Sequence, residues 1–152
     1  MKALHIIFAG LCLTLAAACS QQNNVQTEEG NAVIENIMSR RSIRAYKPCT
    51  VARDTMQIIL ECGINAPSGM NRQSWEVRVV DNPEVMAEIV QLMAAGNPDV
   101  DPGAVKGCFR GAPVMVFIAN DAAYDFSVID CGLLSQNIML SGWSLGVGSV
   151  CL

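Results

Sequence analysis

The chain is almost without histidine: its 152 residues include one, His5, and that one lies in an apolar N-terminal run with the character of a cleavable signal. A mature protein without imidazole has no Ser-His or Cys-His nucleophile and no His-ligated metal centre. Beyond that run and Cys19, which directly follows it, the cysteines are Cys49, Cys62, Cys108, Cys131 and Cys151, with no C-x-x-C pair to suggest zinc, an iron–sulfur cluster or a redox dithiol. Five is an odd number for an exported domain, so they make no complete disulfide framework, and most read as small buried hydrophobes. Positive charge is also short. Without Lys2 the chain carries nine basic against fourteen acidic side chains, which argues against a nucleic-acid partner. The dinucleotide fingerprint is missing too, because Gly146-Val147-Gly148 lacks a third glycine and follows a helical pattern where a strand is required.

Lys2 followed by apolar and small residues from Ile6 to Ala18 reads as a signal peptide over 1–18. Ala16-Ala17-Ala18-Cys19 resembles the lipobox of bacterial lipoproteins, which implies lipidation of Cys19, with an ordinary secretory cleavage as the alternative. An exported lipoprotein of the bacterial cell envelope, held to the membrane only through its N-terminal lipid, is the resulting expectation. Residues 19–30 are polar and read as a flexible tether, leaving 31–152 as one domain.

In that domain Val33, Ile34, Ile37 and Met38 share one helical face, with Asn31 placed to cap and an end near Ser39. A second helix is expected over 51–64 with Thr50 as a candidate cap. Residues 75–80 alternate as a half-buried strand, and a third helix spans 84–95. The stretch 96–111, rich in Gly, Pro and Asp, reads as a long loop. The continuous apolar run 113–119 suggests a strand buried on both faces, and a helix over 126–146, apolar almost all round, should be buried. A last strand begins at 149. Asp130 and Asn137 sit on one face of the long helix and read as structural hydrogen-bonding groups rather than catalytic ones.

Two segments carry the chemistry. SRRSIRAYK (39–47) gathers Arg40, Arg41, Arg44 and Lys47, four of the nine basic residues left after the signal, around Ser42 where a helix ends. Such a set suits a phosphate through charged forks and a hydroxyl, although cations at a helix C-terminus also simply complement its dipole. APSGMNRQSW (66–75) is a run of turn formers that exposes backbone N–H groups and short polar side chains to a planar ring, or else merely connects a helix to a strand.

Together R-R-S-x-R and A-P-S-G-x-N-x-Q-x-W resemble the paired signature of the FMN-dependent nitroreductase family. The likeness extends through GAPVMVFIA (111–119) and DCGLLSQNIMLSGWSLGVGS (130–149). It implies an α+β fold, a three-layer sandwich with a central mixed β-sheet flanked by helices, built as a homodimer with FMN at the subunit interface. It also implies that the family's C-terminal part is missing here: a further strand, an arm crossing to the partner and a late basic residue. Arg40 and Arg44 would contact the phosphate and ring edge, with Arg41 and Ser42 on the ribityl–phosphate side. Pro67, Ser68, Gly69, Asn71 and Gln73 would reach the flavin of the neighbouring subunit. The reaction implied is hydride transfer from NAD(P)H through FMN to a nitroaromatic, quinone or similar small acceptor, with the chemistry on the flavin and no catalytic side chain or metal. A flavin-binding lipoprotein without turnover is the alternative.

Overall fold

A computed structural model describes residues 30–96, 99 and 102–152; the signal 1–18, Cys19 and the rest of the tether up to residue 29 lie outside the described residues. The chain runs through helix α1 (Ala32–Ser39), helix α2 (Arg53–Ile64), a single 3-10 turn (Gly69–Asn71), strand β1 (Trp75–Val80), helices α3 (Pro83–Gly96) and α4 (Pro102–Cys108), strand β2 (Met115–Asn120) and helix α5 (Ser127–Ser144).

Asn31 caps α1 as its sequence position requires. Its Oδ1 accepts from the amides of Val33 (3.0 Å) and Ile34 (3.3 Å), satisfying two orphan donors. Asn82 does the same for α3, accepting from Glu84 N at 2.8 Å and Val85 N at 3.1 Å. For α2 the expected cap is wrong. The helix begins at Arg53 with Ala52 extended (φ −57°, ψ 140°) as N-cap and no side-chain cap bond, so Thr50 stands outside it. Asp54 in the first turn complements the dipole instead.

The helical layer is centred on α2 against α5. Ile59 and Leu134, 2% and 0% exposed, form its middle. Gly63 allows the close approach, since a Cβ there would lie 2.6 Å from Ile138 Cγ1. Polar groups on α5 reach across the seam: Asn137 Nδ2 donates to Cys62 O at 3.1 Å, and Ser141 Oγ to Ile59 O at 3.5 Å. Asn137 is thus a structural group, as expected.

β1 and β2 pair antiparallel, from Trp75 opposite Asn120 to Val80 opposite Met115. The fold is nitroreductase-like α+β, but its sheet differs from the expected central mixed one among the described residues. The third strand is reduced to one parallel bridge, Ser42 with Ser149, closed by Ile43 N donating to Ser149 O at 3.0 Å. A Cβ at Gly148 would sit 2.7 Å from Ile43 Cγ1, so glycine permits that bridge.

Three further expectations are corrected. The 96–111 stretch contains α4, followed by Phe109, whose ring meets Phe117 edge-on at 6.2 Å. β2 is half-buried at Met115–Ile118 and exposed at Ala119 and Asn120, rather than enclosed on both faces. The long helix α5 is buried on one face only. Val128, Ile129 and Leu133 are exposed, as are Val33, Ile34, Ile37 and Met38 of α1, because nothing among the described residues covers those stripes.

Candidate functional site

The basic segment is fixed to the C-terminal half of α5. Asn36 Nδ2 donates to Leu140 O at 2.9 Å, Trp143 Nε1 donates to Ser39 Oγ at 2.9 Å, and the Ser42–Ser149 bridge follows. Arg40, the C-cap of α1, turns the chain from helix into extended backbone (φ −55°, ψ 134°). From there its side chain is drawn inward. Arg40 Nη1 is shielded from solvent and has no hydrogen-bond partner.

The other cations of the segment behave differently. Arg41 turns back on α1, its Nη1 donating to Met38 O at 2.7 Å and Arg40 O at 2.9 Å, so for this residue the dipole-complementing role is realised. Arg44 is exposed and makes one long contact, Nη1 to Ser42 O at 3.5 Å. No carboxylate neutralises any of them: the ion pair formed among the described residues is Arg78 with Glu76. Tyr46 closes the segment through its hydroxyl to Ile43 O at 2.7 Å. Burial pushes its phenol pKa up, and the neighbouring Arg44 pulls the other way.

The second segment is bolted to the opposite end of α5. Asp130, 2% exposed, accepts from Gly69 N at 3.0 Å on one oxygen and from Ser74 Oγ at 3.3 Å on the other. Ser127, fully buried, donates to Ser74 O at 2.6 Å and accepts from Asp121 N at 2.8 Å. Asp130 is therefore a loop anchor, in keeping with its structural reading.

Within the loop, Ser68 Oγ accepts from Gln73 N at 3.0 Å, and Gln73 Nε2 donates to Asn71 Oδ1 at 3.2 Å. Met70, Asn71 and Gln73 all have positive φ, between 50° and 53°. A conformation that L-residues avoid persists only where surrounding bonds determine it, and here the Asp130 anchor and the internal bonds do so. The outcome is a pre-shaped rim of backbone and amide groups.

The structure brings Arg40, Arg41, Ser42 and Arg44 together, and separately Pro67, Ser68, Gly69, Asn71 and Gln73. It does not bring the two sets together. From Asp130 to Leu140 and Trp143 the helix rises about 15–20 Å, at roughly 1.5 Å per residue. An open cleft of about 1000 Å³ between β2, α5 and residues 145–152 is lined by Tyr46, Lys47, Phe117 and Trp143 but by none of the nine site residues.

The profile of the Nitroreductase family matches residues 37–152, which takes in both segments and the helix that separates them. The chain belongs to the nitroreductase family. Among solved structures, this chain is similar to a nitroreductase with bound FMN from Bacteroides fragilis NCTC 9343, at 30% identity and a TM-score of 0.72 over 79% of this chain and 68% of that one. A nitroreductase with bound FMN from Desulfitobacterium hafniense DCB-2 is 34% identical, with a TM-score of 0.69 over 80% of this chain and 70% of that one. Among curated relatives, a Methanothermobacter thermautotrophicus protein carrying the provisional name NADH dehydrogenase/NAD(P)H nitroreductase is 35% identical over 123 residues. That match takes in 78% of this chain and 59% of the relative, so the chain spans about three fifths of the relative's length.

Sequence reasoning passed over Tyr124. Its ring lies under the Arg72 guanidinium, 4.5 Å from carbon to centroid, and its shielded hydroxyl has no partner. No local pattern marks such a residue, since the contact joins positions remote in the chain.

Proposed function

We propose that the chain binds FMN between two copies of itself and passes hydride from NAD(P)H to a nitroaromatic, quinone or similar small acceptor. The observation that carries this reading is the enclosed, unpartnered Arg40 Nη1. A sheltered guanidinium N–H without an acceptor costs free energy, and a phosphate brought to it would supply the charge-assisted bond it lacks. Arg44 and Ser42 lie on the same strand-like stretch to extend that contact, while Arg41 holds the end of α1 on which Arg40 stands.

The second half of the site then comes from a second copy. One chain holds its two segments at opposite ends of α5, and two antiparallel copies would set the basic segment of one beside the 66–73 loop of the other. The uncovered apolar stripes of α1 and α5 support such a pairing. FMN when bound supplies hydride acceptance and donation; the protein's part is to fix the phosphate with Arg40, present the amide rim of Pro67, Ser68, Gly69, Asn71 and Gln73, and exclude water.

The test is the visible spectrum and mass of the protein expressed from Ser20 onward, in this and any longer natural form, with FMN added. A flavin absorbance with dimeric mass is expected, and anaerobic bleaching by NAD(P)H separates an enzyme from a binder without turnover. Absence of flavin binding in every form would sink the reading. An exported lipoprotein anchored through Cys19 is proposed on the signal and lipobox; labelled palmitate incorporation that survives Cys19→Ser would refute it.

A further inference from the structure

We infer that Arg72, laid on the ring of Tyr124, is an anion-selecting group at the mouth of the FMN site, favouring a hydride donor or acceptor that carries a carboxylate or phosphate. The inference rests on the FMN reading above, since it places Arg72 by its two neighbours, Asn71 and Gln73, on the loop offered to the flavin.

Arg72 is exposed, yet it is not loose. Its guanidinium carbon stands 4.5 Å from the Tyr124 ring centroid, a cation–π position, and the loop beneath it is fixed by the left-handed Met70, Asn71 and Gln73. The stack exists because residue 69 is glycine: a Cβ there would collide with the Tyr124 hydroxyl. Phe126 packs against the same ring, tilted at 5.8 Å between centroids.

The charge so positioned is unpaired. No carboxylate among the described residues reaches Arg72, although the whole chain has a net charge of −4. Asp130 serves Gly69 and Ser74, and Asp121 accepts from Ala123 N at 2.9 Å. The Tyr124 hydroxyl beside it is a second donor without an acceptor.

Arg40 and Arg72 thereby divide two tasks. A half-buried guanidinium with one shielded, unpartnered N–H suits a resident phosphate; an exposed, pre-positioned one suits a charged reactant that must enter and leave.

The experiment uses FMN-loaded protein and separates the half-reactions. Reduction is timed with NADH and with uncharged 1-benzyl-1,4-dihydronicotinamide; reoxidation of photoreduced protein is timed with 4-nitrobenzoate and with its methyl ester. Arg72→Gln should lower the charged-to-uncharged rate ratio in at least one half-reaction by about three- to tenfold, the size of a partly screened charge contact. The half-reaction affected tells whether donor phosphate or acceptor carboxylate is selected. Tyr124→Leu, which removes the platform and leaves the charge, should reproduce part of that fall. Normal flavin absorbance with both ratios unchanged in Arg72→Gln would overturn the inference alone. Absence of flavin absorbance in the unmodified protein would overturn the FMN reading and this inference with it.

Discussion

The amide of Gly69 donates to the buried carboxylate of Asp130 at 3.0 Å, across 61 positions of sequence. That bond ties the turn proposed to face a flavin to the first turn of α5, where a negative charge is favoured by the helix dipole. The loop's geometry is thus set by the helix beneath it rather than by its own composition.

Asp130→Ala should therefore strike stability and site together. It leaves the Gly69 N–H and the Ser74 hydroxyl without acceptors in a shielded place, a loss of about 2–4 kcal/mol. Urea unfolding followed by circular dichroism measures it. A midpoint equal to that of the unmodified protein would mean the anchor carries no energy.

Arg40 and Arg41 are adjacent and alike in charge, yet their substitutions should separate. Arg40→Ala is expected to weaken FMN binding by about 1.5–3 kcal/mol, the range for a charge-assisted hydrogen bond. Arg41→Ala should instead cost about 0.5–1 kcal/mol of stability through the end of α1, with a smaller effect on FMN. Flavin fluorescence titration beside urea unfolding tells them apart; equal losses of FMN affinity would assign Arg41 to the cofactor as well.

If the site is shared between copies, two defective chains should repair one another. Arg40→Ala removes the phosphate contact, and Gly69→Ala, whose Cβ would meet the Tyr124 hydroxyl, disturbs the loop. A mixed dimer of the two contains one site with both lesions and one with neither. Co-expression under two affinity tags should return FMN to about half the sites, as two-fold symmetry dictates. Mixed dimers that bind no more flavin than either parent would place both segments in the site of a single chain.

Local features of the fold were legible because their causes are local. Asn31 before an apolar helical face fixes the start of α1, and the alternation at 75–80 marks β1 to the residue. Where a cause is distant, local signs misled. Thr50 has the chemistry of a cap, but the chain stays extended through Ala52 before α2 begins. The apolar circumference of α5 suggested burial, yet Val128, Ile129 and Leu133 remain uncovered in one copy. Periodicity reports which faces are apolar, not what lies against them.

The sequence by itself determined the two segments, their residue types and the family to which these point. Cations beside a helix end and turn formers before a strand are properties of neighbours in the chain, so they can be read there. Tertiary structure alone decided that Arg40 Nη1 is shielded without a partner while Arg41 Nη1 is bonded, that Asp130 anchors Gly69, and that the two segments stand at opposite ends of α5. Those relations depend on the length and packing of a helix between distant positions, which holds the two motifs apart at its opposite ends.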